Sequence, residues 1–126
     1  MAEMNKTILV LDDELETVEL FSEMLLVCGF FVQACTNYHQ AVHLIEKTPP
    51  DGILLDVMMP EKSGLELLEY IRECPKSAGI PVIVVSSKGL PGDVAAGMGA
   101  GADQYLTKPV SFLELKQAFQ DALQAK

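Results

Sequence analysis

The chain has 126 residues, 49% hydrophobic and 21% charged, the composition of one soluble domain able to bury roughly two-thirds of its unfolded surface. Its formal net charge of −9 leaves no basic stripe to neutralise phosphates and argues against direct nucleic-acid binding. Cys28, Cys35 and Cys74 are odd in number, widely spaced and without a C-x-x-C, so they read as small core hydrophobes of a reducing compartment. The first apolar run is too short for export or membrane insertion, and a cytoplasmic location is expected.

Residues 1–6 are a polar lead-in. Residues 8–11 form an apolar strand that ends at Asp12-Asp13-Glu14. Asp13 is placed to cap the next helix, with Glu16 in the capping-box position. Val18, Phe21, Leu25 and Cys28 recur at helical spacing until Gly29 stops that helix. Residues 31–35 make a second, less uniformly apolar strand suited to a sheet edge. The second helix runs over residues 38–47 with Ala41, Leu44 and Ile45 inward, and Pro49-Pro50 forbids its continuation. A third strand, residues 52–56, delivers Asp56 at its end. Ser63 and Glu66 form a capping box for the third helix, whose buried face is expected from Leu65, Leu68 and Ile71.

Pro81 opens the fourth strand, Val82-Ile83-Val84-Val85, a β-branched row suited to the interior of a parallel sheet. The fourth helix, residues 90–99, is weak because Gly92, Gly97 and Gly99 each cost about 1 kcal/mol against alanine. A short fifth strand over residues 104–106 leads to Thr107-Lys108-Pro109. Ser111 with Glu114 caps the last helix, whose stripe is Phe112, Leu115, Phe119 and Ala122. Strand and helix thus alternate to the end of the chain. With right-handed crossovers this predicts an α/β, doubly wound, flavodoxin-like parallel sheet of five strands in the order 2-1-3-4-5, with helices on both faces.

Ligands bind beyond the carboxyl ends of such strands, and there the sequence places its chemistry. Asp12 and Asp13 follow strand one, Asp56 ends strand three, Ser86 follows strand four and Lys108 follows strand five. Adjacent carboxylates repel unless a counter-ion is present, and a hard cation such as Mg²⁺ takes oxygen ligands. Asp13 and Asp56 are the expected direct ligands, with Asp12 acting through water and the backbone carbonyl of Met58 completing the shell. A carboxylate nucleophile, a cation, a lysine and a hydroxyl form an electrostatic cradle for a phosphoryl group. Two other clusters carry no such reading. His39 and His43 lie one turn apart on helix two without a third ligand. Gly97, Gly99 and Gly101 precede a strand, the wrong context for a phosphate-binding loop.

The segments ILVLDDE (8–14), PDGILLDVMMPEKSGLELL (50–68), IPVIVVSSKG (80–89) and GADQYLTKP (101–109) together resemble the CheY-like receiver domain of two-component response regulators. The likeness spans residues 7–125 and implies a single receiver over residues 1–126. It implies that Asp56 accepts a phosphoryl group from a sensor histidine kinase, a histidine phosphotransfer protein or a small donor such as acetyl phosphate. It also implies Mg²⁺, with Mn²⁺ as a substitute, at Asp12, Asp13 and Asp56, and Lys108 pairing with the carboxylate and then the phosphoryl oxygens. Ser86 and Tyr105 take the switch positions, Met58 gates the attacking water, and a cis peptide is expected at Lys108-Pro109. Such a domain catalyses its own phosphotransfer and dephosphorylation but acts mainly as a signalling switch. Its readout is a changed affinity for a protein at the helix four, strand five and helix five face, or a phosphorylation-dependent dimer. Ser86 replaces the commoner threonine, Ser87 a common alanine, and Gln104 a frequent aspartate. The alternatives are a receiver-like scaffold independent of phosphate, disfavoured by the intact acidic residues, and a Mg²⁺-dependent phosphohydrolase. The latter normally has an acid two residues past the nucleophile, where this chain has Met58.

Overall fold

The computed structural model describes residues 6–56 and 64–124. Five strands alternate with five helices: β1 (Thr7–Leu11), α1 (Leu15–Val27), β2 (Phe31–Cys35), α2 (Tyr38–Lys47), β3 (Gly52–Asp56), α3 (Gly64–Glu73), β4 (Val82–Ser86), α4 (Pro91–Gly99), β5 (Gln104–Thr107) and α5 (Phe112–Gln124). All strand pairs are parallel and the order is β2-β1-β3-β4-β5, as expected from the sequence. The interior strands β3 and β4 are buried at every position, whereas β2 at the edge buries only Cys35.

Because side chains alternate across the sheet, neighbours on one strand feed two separate cores. Ile8 and Val10 pack with Val18, Phe21, Leu25, Leu115 and Phe119 under α1 and α5. Leu9 and Leu11 pack with Ala41, Ile45, Leu67, Leu68 and Ile71 under α2 and α3. Gly52 has a steric reason to be glycine. A Cβ there would meet Ile8 Cδ1 at 2.9 Å and the Phe119 ring at 3.2 Å.

Several expectations are corrected at the helix ends and faces. The α1 N-cap is Glu14 without a side-chain cap bond; Asp12 Oδ1 instead accepts from the Glu14 N–H at 3.0 Å, an Asx-type turn in place of the Asp13–Glu16 box. On α3 the fully buried positions are Leu67, Leu68 and Ile71, with Leu65 only partly covered. Phe112 is likewise half-buried, and Ala118 takes the inner position. Ser63, the expected α3 cap, lies outside the described residues. The α5 box is present: Ser111 Oγ accepts from the Glu114 N–H at 3.1 Å, and Glu114 Oε1 from the Ser111 N–H at 3.0 Å. Cys35 is buried, Cys28 and Cys74 are half-buried, and all three are free. Among the described residues, no helix is long and apolar enough to cross a membrane.

Candidate functional site

Parallel register places the ends of four strands at one edge of the sheet. Leu11 pairs with Leu55, Asp56 with Val85, and Ser86 with Thr107. Asp12, Asp56, Ser86 and Lys108 therefore emerge side by side from non-adjacent parts of the sequence. Asp12 and Asp56 are 1% and 3% exposed and Ser86 is fully buried, so these polar groups are held out of water. Burial of that kind requires partners.

Lys108 supplies them. Its Nζ donates to Asp12 Oδ2 at 3.0 Å and lies 3.5 Å from Asp56 Oδ2. Burial pulls the Lys108 ammonium toward a lower pKa. The hydrogen bond to Asp12 and the fields of Asp56 and Asp12 together outweigh it, and the net shift is upward from 10.5. The lysine is thus firmly charged. Its backbone is fixed as well, since the Lys108 N–H donates to the Ser86 carbonyl at 2.8 Å and the Lys108-Pro109 peptide is cis, as expected.

One carboxylate oxygen from each of Asp12, Asp13 and Asp56 lies within 4.8 Å of the others. Partial burial, with the hydrogen bond and charge of Asp12, raises the Asp13 carboxyl above 3.8. Three converging oxygen donors, two buried and one open to solvent, suit a hard divalent cation that keeps part of its water shell. The cluster can hold such an ion. Met58, named above as a carbonyl ligand and water gate, lies outside the described residues.

The Ser86 hydroxyl accepts from the Lys88 N–H at 3.0 Å, and the Lys88 carbonyl in turn accepts from the Tyr105 hydroxyl at 2.6 Å. Ser86 and Tyr105 are therefore joined through one residue of the β4–α4 loop. Sequence reasoning missed Arg72, which braces the far side of β5. Its Nε donates to the Gly101 carbonyl at 2.9 Å, its Nη1 to Ala78 and Ile80 carbonyls at 3.1 and 2.6 Å, and its Nη2 to Asp103 Oδ2 at 2.9 Å. Asp103 Oδ2 also accepts from the Val82 N–H at 2.8 Å, tying the starts of β4 and β5 together.

Fold and cluster together define a CheY-like receiver, with Asp12, Asp13, Asp56 and Lys108 matching the phosphoacceptor site of that class. The sequence profile described as response regulator receiver domain matches residues 8–120. The phosphate regulon transcriptional regulatory protein PhoB of Pseudomonas aeruginosa is 38% identical over 110 residues, covering 87% of this chain and 48% of that protein. A 14.6 kDa protein encoded in the sodA1 3′ region of Leptolyngbya boryana is 39% identical over 108 residues, covering 86% of this chain and 82% of that one. The crystal structure of a putative response regulator from Chloroflexus aurantiacus superposes with a TM-score of 0.91 at 28% identity, covering 95% of this chain and 98% of that one. The chain belongs to the response regulator receiver domain family. It spans about half the length of most of the curated relatives it matches.

Proposed function

We propose that the chain is a phosphorylation switch, one receiver unit over residues 7–125, with Asp56 as the phosphoacceptor. An Asp56 carboxylate oxygen attacks the donor phosphorus, either a phosphohistidine of a sensor histidine kinase or phosphotransfer protein, or acetyl phosphate. The new O–P bond forms as the P–N or P–O bond to the donor breaks, and the leaving group departs with the electron pair. Lys108 holds the phosphoryl oxygens as it now holds Asp12 and Asp56, and the Ser86 hydroxyl donates to one of them. Asp12, Asp13 and Asp56 hold Mg²⁺, or Mn²⁺ in its place, which supplies charge neutralisation to the transferring group. Hydrolysis of the acyl phosphate by water resets the switch.

The observation that carries this reading is the charged Lys108 between two buried carboxylates of a three-oxygen cluster. Such a site offers a phosphoryl dianion one fixed ammonium and three oxygens that would hold a second cation, and its acidic pocket is intact, which disfavours a phosphate-independent scaffold. The readout is a changed affinity at the α4–β5–α5 surface for another protein or a second copy, in the cytoplasm and without membrane insertion or direct nucleic-acid contact.

Intact mass after incubation with acetyl phosphate and Mg²⁺ tests the chemistry. The expected result is a gain of about 80 Da, lost with EDTA and absent in Asp56→Asn. No adduct together with no spectral response to beryllofluoride would overturn the proposal.

A further inference from the structure

The fourth helix holds glycine at three positions, and the structure separates them sharply. A Cβ built on Gly92 or Gly99 meets nothing within 4 Å. A Cβ built on Gly97 would lie 2.7 Å from Tyr105 Cδ2 and 2.9 Å from Cε2. Real Cβ atoms do not approach so closely, so a side chain at position 97 and the present position of the Tyr105 ring exclude one another. Gly97 is also the buried residue of α4, on a helix whose remaining residues are partly or fully exposed. The Tyr105 ring thus fills the space under α4 that an ordinary core side chain would occupy.

The segment before the helix repeats the arrangement. A Cβ on Gly89 would meet Thr107 Cγ2 at 2.8 Å and Oγ1 at 2.9 Å. Tyr105 and Thr107 are two apart on β5 and share one face of the sheet. The β4–α4 connection and α4 therefore sit on β5 at two points where backbone meets side chain directly. Next to the Gly89 contact the Tyr105 hydroxyl donates to the Lys88 carbonyl.

We infer that Gly97 is a positioning residue: its missing side chain forms a slot that seats the Tyr105 ring and couples the ring's position to that of α4. A ring in the slot keeps its hydroxyl on Lys88, the residue whose N–H donates to Ser86 at the acidic site. A ring expelled from the slot loses that bond and leaves α4 without its filler. The inference rests on the phosphorylation-switch reading for its functional consequence, because the slot is what makes α4 sense where Tyr105 lies. It does not rest on that reading for the slot itself.

The test uses fluorine NMR of protein labelled with 3-fluorotyrosine, which carries three reporters, at Tyr38, Tyr70 and Tyr105. Tyr105→Phe assigns the Tyr105 line. In unphosphorylated protein, Gly97→Ala is expected to move that line to the position of a solvated tyrosine and leave the other two in place. Gly92→Ala and Gly99→Ala, the same change in the same helix, are expected to leave all three unmoved. An unshifted Tyr105 line in Gly97→Ala, or an equal shift in Gly99→Ala, would overturn the inference. Should Gly97→Ala fold poorly, it is repeated in a Tyr105→Ala background, where removal of the ring is expected to abolish its loss of denaturation midpoint. An unchanged loss there would refute the slot.

The functional arm is read separately. Gly97→Ala is expected to form the same acetyl-phosphate adduct as the unaltered protein, yet lose the adduct-dependent shift of the Tyr105 line. Failure of the unaltered protein to form any adduct would count against Asp56 chemistry and leave the slot to be judged by the unphosphorylated spectra.

Discussion

Replacing Lys108 by methionine keeps much of the side-chain volume and removes the ammonium that faces Asp12 and Asp56. At an effective dielectric of about 20, two carboxylate charges no more than 4.8 Å apart repel by at least roughly 3 kcal/mol. Removing one partner of a buried ion pair costs about 3–5 kcal/mol. The lysine side chain is 25% exposed, so water can partly replace it and the lower end applies. We expect a loss of about 3 kcal/mol in the metal-free protein, or roughly 12 °C in midpoint for a domain of this size. Because Lys108 titrates above 10.5 in the folded state, its contribution is fully present below that pH and is lost only as pH rises through the raised folded value. The titration of Lys108 itself therefore adds no pH dependence to the difference between about pH 7 and 9. Mg²⁺ is expected to stabilise the variant more than the unaltered protein, since the competing ammonium is gone and ligand stabilisation grows as RT ln(1 + [L]/Kd). Urea titrations in EDTA and in excess Mg²⁺ measure both effects. A variant within about 0.5 kcal/mol of the unaltered protein in EDTA, or an equal Mg²⁺ shift in both, would refute the electrostatic account.

Arg72→Ala should cost about 3 kcal/mol, because it strips three carbonyls and Asp103 of their donor at once; Arg72→Lys should not rescue it, since a single ammonium cannot span the fork. Urea midpoints compare the two. Gly101→Ala should cost about 1–3 kcal/mol, as φ is +115° there and its Cβ would lie 2.8 Å from Arg72 Cγ; the same titration reads it, and a neutral result would refute the strain. Ser111→Ala should cost about 1 kcal/mol through loss of the α5 cap, measured by thermal unfolding. Burial pushes the Cys35 thiol up to about 12, so iodoacetamide at mildly alkaline pH should label Cys28 and Cys74 before Cys35, as peptide mass mapping would show.

The parts of this fold that lie in short-range pattern were legible, and those that depend on distant partners were not. The bounds of α2 were legible from its apolar spacing and from Pro49-Pro50 beyond its end, whereas its cap, Asn37 accepting the Gln40 N–H at 2.9 Å, was not singled out. The strand-end acids and Lys108 were legible because parallel topology converts "after a strand" into "at one edge". The Asp13 cap misled because two adjacent aspartates can each serve. Lys108 draws Asp12 inward by one oxygen and leaves its other oxygen to turn the chain at Glu14. Leu65 and Leu67 both fit a helical stripe, and only the packing of α3 on the sheet separates them. Arg72 gave no local signal, since its carboxylate partner stands 31 positions away. The fourth helix was expected to be weak because of its glycines, yet it forms over Pro91–Gly99. Propensity counts each glycine alike, whereas two of them face open space and the third is where Tyr105 lies.

The same contacts explain how charge at the acidic cluster can reach the surface of α4. Lys108 touches Asp12 and Asp56 with its ammonium and Ser86 with its backbone N–H. Ser86 touches Lys88, Lys88 touches the Tyr105 hydroxyl, and the Tyr105 ring touches α4 at Gly97. A line of contacts by itself carries nothing unless one of its members has two discrete positions that both ends can bias. Most links here are fixed, because Ser86 belongs to a buried strand and Lys108 is held at both ends. The ring of Tyr105 differs, being half-buried, held at its tip by one hydrogen bond and seated in space that belongs to a glycine. A packed leucine at position 97 would leave α4 indifferent to the ring. Glycine there makes the seat conditional on its occupant, and that dependence is what the last link of a switch requires.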